Sequence, residues 1–126
     1  MSHVLDASAL LAVLKQEPGA ERVTAVISAC SISAVNLSEV AAKLAERGAG
    51  RNQVAGTLGA LGFTVIGFSQ NLGIEAGMLR PATRHLGLSF GDRACLATAL
   101  SAGLPVMTSD RNWAALDLDV EIELIR

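Results

Sequence analysis

Short apolar runs alternate with longer segments of helical period along this chain, and the switch between the two patterns recurs from end to end. Val4 and Leu5 form a strand-like pair that stops at Asp6, and residues 7–16, rich in Ala and Leu, predict a helix that Pro18 and Gly19 break. Residues 21–29 predict a second short helix. Residues 31–35, with Ile32 and Val35, predict a strand, and residues 36–47 an amphipathic helix closed by Gly48. Residues 52–61 continue helically despite Gly56 and Gly59, residues 63–68 return to β-branched strand character, and residues 70–79 are helical up to Pro81. The clearest helix runs over residues 89–102, with Ser89 to cap it and Gly103 to close it. Residues 105–108 predict a strand and residues 111–116 a short helix. Residues 117–124 alternate acid and aliphatic without a break, the pattern of a half-buried strand at a sheet edge.

Strands that alternate with helices imply an α/β layered fold around a mostly parallel sheet. With 126 residues and no repeat, linker or low-complexity stretch, the expectation is a single domain over 1–126. In such sheets ligands bind beyond the carboxyl ends of the strands, where strand order reverses. That rule matters here because four carboxylates, Asp6, Glu39, Asp92 and Asp110, each follow a strand-like run or open a helix-like segment. In a parallel sheet all four land on one rim.

Composition narrows the chemistry. Hydrophobic residues make up 51%, enough for a real core. Aromatics are only Phe63, Phe68, Phe90 and Trp113, which excludes an extended stacking platform for single-stranded nucleic acid. The net charge is −2, but the acids concentrate at the end, where Asp117, Asp119, Glu121 and Glu123 face Arg126 alone. Without those and the four rim acids, bases outnumber acids, and the remaining surface can attract RNA locally. Cys30 and Cys95 stand in apolar surroundings without metal-type spacing and read as free thiols of a reducing compartment. The apolar run over residues 7–14 is too short for a membrane span and wrongly flanked for a signal peptide, so the expectation is a cytoplasmic protein with no membrane contact.

Each acid also has a plain structural use. Asp6 and Asp110 can cap the helices that follow them, and Asn36-Leu37-Ser38-Glu39 and Ser89-Phe90-Gly91-Asp92 both match the capping-box spacing. Glu39 has Lys43 four residues on. Capping alone, however, does not ask for an acid each time, because Ser, Thr and Asn serve as well. Four carboxylates on one rim repel unless a cation sits among them. With no histidine in the set, all-oxygen ligation points to Mg²⁺, or Mn²⁺, rather than zinc.

The segments Val4-Leu5-Asp6-Ala7-Ser8-Ala9-Leu10, Asn36-Leu37-Ser38-Glu39-Val40, Ser89-Phe90-Gly91-Asp92-Arg93-Ala94-Cys95-Leu96-Ala97 and Val106-Met107-Thr108-Ser109-Asp110-Arg111-Asn112-Trp113 resemble the four motifs of PIN-domain ribonucleases. More narrowly they resemble VapC toxins of bacterial toxin–antitoxin pairs. The motifs run in order and span nearly the whole chain. The resemblance implies a three-layer α/β/α fold with five strands in order 3-2-1-4-5, a Mg²⁺-dependent endoribonuclease leaving a 5′-phosphate and a 3′-hydroxyl, and a VapB-type antitoxin partner. It maps the family's acids onto Asp6, Glu39, Asp92 and Asp110 as metal ligands and catalytic groups, and places Ser8 and Thr108 in support of them.

For RNA contact the candidates are Lys43 and Arg47, which with Arg51 form a basic stripe if the helix runs past Gly48, and Arg93 and Arg111 beside the site acids. The apolar surplus leaves surface for a partner helix, a homodimer contact and a higher toxin–antitoxin complex. An aspartyl phosphatase of the haloacid-dehalogenase type would need a second Asp where Ser8 stands, and a response-regulator receiver would need a lysine after a late strand, where none occurs. The competing reading from another class is a catalytically silent PIN-like binding module that engages a protein partner through its acidic rim.

Overall fold

The computed structural model describes residues 2–126. Among them five strands form one sheet: β1 (Val4–Leu5), β2 (Ser31–Ser33), β3 (Thr64–Ile66), β4 (Val106–Thr108) and β5 (Ile122–Leu124). Their order is β3-β2-β1-β4-β5, and every pairing is parallel. This is the order the motif resemblance implied. Seven α-helices accompany the sheet: α1 (Ala7–Lys15), α2 (Ala20–Thr24), α3 (Ala34–Glu46), α4 (Arg51–Gly59), α5 (Gln70–Met78), α6 (Arg80–Thr83) and α7 (Phe90–Ala102).

The period of two along each strand divides the core between the sheet's faces. Val4 and Val106 lie in register and pack with Leu88, Cys95, Leu96, Ala99 and Trp113, on the face covered by α7. Leu5, Ile32 and Met107 point the other way, into a cluster with Ala9, Leu10, Ala12, Val23 and Val40 from α1, α2 and α3. Helices on both faces give three α/β/α layers, which buries β1 on both sides and explains why its two residues are fully apolar. At Gly19, a φ of 93° and a backbone so close to Ile125 that a Cβ would strike the Ile125 carbonyl both require glycine. That contact ties the turn after α1 to the end of the chain.

Several boundaries differ from the sequence pattern. The strand expected over 31–35 stops at Ser33, whose hydroxyl accepts the Val35 amide at 3.2 Å and starts α3 at Ala34. Asn36 is therefore inside the helix, and no capping box forms there. The helix expected over 21–29 divides into α2 and a 3₁₀ turn at Ile27–Ala29. The strand expected over 117–124 pairs only through Ile122–Leu124, because β4 offers just three residues. The alternation survives as alternating burial while the backbone bends, with the Val120 amide donating to the Leu118 carbonyl at 2.8 Å. No helix is long and apolar enough to cross a membrane among the described residues.

Candidate active site

β1 has β2 on one side and β4 on the other, so strand order reverses beside it, the place where ligands bind beyond the carboxyl ends of the strands in such sheets. Asp6 follows β1 directly and is only 5% exposed. It stands at the N-cap of α1, yet its side chain makes no capping bond. Instead its Oδ2 accepts two hydroxyls, from Ser8 at 2.7 Å and from Thr108 at 2.8 Å. Each hydroxyl oxygen in turn accepts a backbone amide from the segment after β4. The Ser109 N–H reaches Ser8 Oγ at 3.0 Å, and the Asp110 N–H reaches Thr108 Oγ1 at 3.0 Å. Both hydroxyl protons are thus committed to one carboxylate oxygen, and fixed peptide dipoles polarise both donors. Ser8 and Thr108, the two hydroxyls singled out from sequence, are the two donors to Asp6.

Burial pushes the Asp6 carboxyl above its ordinary value. The two hydroxyls pull it back and the charge of Asp92 raises it further. The Cys95 thiol lies beneath this cluster with its Sγ 3.8 Å from the Leu5 carbonyl. Burial raises its pKa strongly, and the charges of Asp6, Asp92 and Glu39 add to the effect. Three of the four expected acids therefore act on one buried point.

Asp92 is held in the first turn of α7 by the capping box anticipated from sequence: Ser89 Oγ accepts the Asp92 amide at 3.2 Å, and Asp92 Oδ2 accepts the Ser89 amide at 2.9 Å. Glu39 reaches across from α3 to α7. Its Oε1 accepts from the Asn36 side-chain amide at 2.8 Å, and its carboxylate lies over the Cα of Gly91, where a Cβ would stand 2.5 Å from Oε2. Asp110 caps the 3₁₀ turn Arg111–Ala115 through Oδ1 and the Asn112 amide at 3.0 Å, and its own backbone amide links it to Asp6 by way of the Thr108 hydroxyl. The four acids share the rim without closing on one another: among the described residues no three His, Cys, Asp or Glu side chains are placed to hold a metal ion directly.

The basic candidates are scattered. α3 ends at Glu46, Arg47 is its C-cap, and Gly48 turns the chain at φ 95° before α4 starts at Arg51. The continuous stripe expected from Lys43 through Arg47 to Arg51 is therefore broken, although Lys43 and Arg47 are both exposed. Arg93 is half-buried and donates to the Ala76 carbonyl at 3.0 Å, bracing α7 against α5. Arg111 is exposed beside Asp110. Sequence reasoning missed the roles of Asn36 and Gly91; the one signal, their positions within two motif segments, was read as capping and spacing.

A PIN domain model matches residues 3–118, and the chain belongs to the PIN domain family. The fold is shared with solved toxin–antitoxin structures. The DNA-bound VapBC from Salmonella typhimurium is 20% identical, with a TM-score of 0.78 over 100% of this chain and 99% of that one. VapBC-1 from nontypeable Haemophilus influenzae is 18% identical, with a TM-score of 0.75 over 99% and 98%. Mycobacterium tuberculosis VapC20, a sarcin–ricin loop cleaving toxin, is 21% identical, with a TM-score of 0.71 over 95% and 99%. No curated protein sequence matches the chain.

Proposed function

We propose that this PIN domain is a cytoplasmic, metal-dependent endoribonuclease, the toxin of a VapBC-type pair. The observation that carries the reading is the Asp6 carboxylate, buried at the point of strand reversal, aimed by Ser8 and Thr108, with the charges of Asp92 and Glu39 beside it. A carboxylate in this position is costly without a cation.

The donor set fits Mg²⁺ or Mn²⁺. It is all oxygen, and an ion that takes few carboxylates and keeps several waters needs no closed protein cage. Asp6 and Asp92 are the firmest ligands, and Glu39 and Asp110 complete the site directly or through water. A bound ion supplies polarisation of the scissile phosphate and acidity for the attacking water. The chain's residues do the rest. Ser8 and Thr108 hold Asp6 in one orientation, the α7 cap holds Asp92, and Asp110 is anchored at the end of β4. No side chain need form a covalent intermediate. Lys43, Arg47, Arg93 and Arg111 are the candidates for guiding RNA to this acidic rim, with Arg93 the most constrained because it already braces α5.

The partner reading rests on apolar surface. A groove of about 600 Å³ between α3 and α4 is lined by Leu37, Ala41, Val54, Leu58 and Phe63, and this apolar lining would take the apolar face of a helix from a VapB-type antitoxin. A basic side chain of that partner, most simply arginine, would pair with the rim carboxylates and block substrate. Ile74, Met78 and Phe90 are exposed and offer a homodimer contact.

Purified protein incubated with total RNA should cut it with Mg²⁺ present and not in excess EDTA, and Asp6→Asn should abolish cutting while keeping the fold. Sustained cleavage by Asp6→Asn, or in EDTA, sinks the proposal. One alternative, the silent binding module, rests on the apolar groove between α3 and α4 alone. A wild type that leaves RNA intact but co-purifies with a small protein establishes that alternative instead.

A further inference from the structure

We infer that Asn36 is a positioning residue, a cross-brace whose amide sets the Glu39 carboxylate against α7; the inference rests on the nuclease reading for its kinetic consequence, not for its geometry. Asn36 is fully buried on α3. Its Nδ2 donates twice, to Glu39 Oε1 at 2.8 Å and to the Gly91 carbonyl at 2.9 Å. Both partners are pure acceptors, so the orientation of the amide is dictated by chemistry: turned over, its oxygen would face two oxygens. One NH₂ group thereby joins α3, the acid and the first turn of α7.

Two further observations say that this brace serves placement rather than stability. The other end of the amide, Oδ1, is buried with no hydrogen-bond partner. A buried acceptor left empty weighs against folding, and an apolar side chain of the same shape would remove that cost. Meanwhile Glu39 itself is exposed, with open rotamers available to it, yet its carboxylate is drawn in over Gly91, where even a methyl group would collide. An exposed glutamate gains little by ordering its side chain in this way. What the order achieves is a third carboxylate at a set distance from Asp92 and Asp6, whose charges meet at Cys95. The partners behind a metal-ligating carboxylate act in this way on affinity and rate.

The test is a cycle of Asn36→Leu, Glu39→Ala and the double variant, with Asn36→Ser as a smaller alternative should leucine not be accommodated. Mn²⁺ affinity is read by electron paramagnetic resonance, RNA cleavage as kcat and KM, and stability by urea midpoint. Expected for Asn36→Leu is a urea midpoint at or above the wild type, Mn²⁺ binding and kcat each weaker by about ten- to a hundredfold, and KM for RNA unchanged. On the Glu39→Ala background the leucine should add nothing, because Asn36 acts only through Glu39. Full additivity in the double variant, or wild-type Mn²⁺ affinity and kcat in Asn36→Leu, overturns the inference. If the wild type cuts no RNA, the nuclease reading falls separately, and a crystal structure of Asn36→Leu decides the brace. Glu39 swung away from Gly91 supports it; Glu39 unmoved refutes it.

Discussion

Replacing Gly91 by alanine should separate activity from stability in this molecule. The added Cβ would stand 2.5 Å from Glu39 Oε2, 2.6 Å from Oε1 and 2.7 Å from Cδ. Restoring ordinary contact at about 3.4 Å forces the carboxylate back by nearly 1 Å. Glu39 is exposed, so it yields by rotating towards water instead of straining the core. The retreat breaks its 2.8 Å bond to Asn36 but leaves the Asn36 bond to the Gly91 carbonyl available. Gly91 also lies in the first turn of α7, where alanine is the better helix former by up to about 1 kcal/mol. The balance is a fold of unchanged or slightly raised stability, within about 1 kcal/mol. A displacement of about 1 Å at a group that positions the reaction can cost on the order of 100-fold in rate. Urea unfolding and Mg²⁺-dependent cleavage of a defined RNA measure the two effects on one preparation. Wild-type cleavage by a folded Gly91→Ala protein would show that the placement of Glu39 over Gly91 has no part in the chemistry.

Further outcomes follow from the same network. Asp6 has its pKa raised by burial and then by Asp92, so above the folded value its charge weighs on the native state; as pH falls through that value the folded chain takes up a proton the unfolded chain does not yet hold, and stability rises until both are protonated below 3.8. Urea midpoints of the wild type minus those of Asp6→Asn should therefore increase from pH 7 downward, and a flat difference refutes the buried-charge account. Millimolar Mg²⁺ should raise the melting temperature at pH 7 in the wild type and much less in Asp6→Asn, since a ligand of the native state alone stabilises it; calorimetry showing equal shifts excludes Asp6 as a ligand. Thr108→Val keeps shape but removes a donor to Asp6 and the acceptor of the Asp110 amide, and should destabilise by about 2 kcal/mol in urea unfolding. A loss below about 0.5 kcal/mol would mean that water replaces the hydroxyl without cost.

Much of this molecule is written locally. The alternation of apolar pairs with helical periods is a one-dimensional signal, and it located all five strands, including β3, whose residues stay largely exposed. Ser89, Asp92 and Gly103 announce α7 through hydrogen bonds between residues three or four apart, so no tertiary information was needed. The parallel direction followed from strands alternating with helices, whereas the order came only from the motif resemblance; its reversal beside β1 puts Asp6 and Thr108 on one rim. What local pattern misjudged were ends and partners. Ser33 and Asn36 both suit a helix start, and only the termination of β2 decided for Ser33. The tail over 117–124 has strand periodicity throughout, yet a strand lasts only as long as its neighbour, and β4 is short. Lys43 and Arg47 were spaced for a stripe that the turn at Gly48 ended. Above all, the pairings that shape the site join residues far apart in the chain: Asp6 with Thr108, Ser8 with Ser109, Asn36 with Gly91. Sequence can name acids that end on one rim, because strand direction determines that. Which oxygen receives which proton, and how far Glu39 is drawn towards α7, depends on distances set by packing the whole chain, and only the tertiary structure decides them.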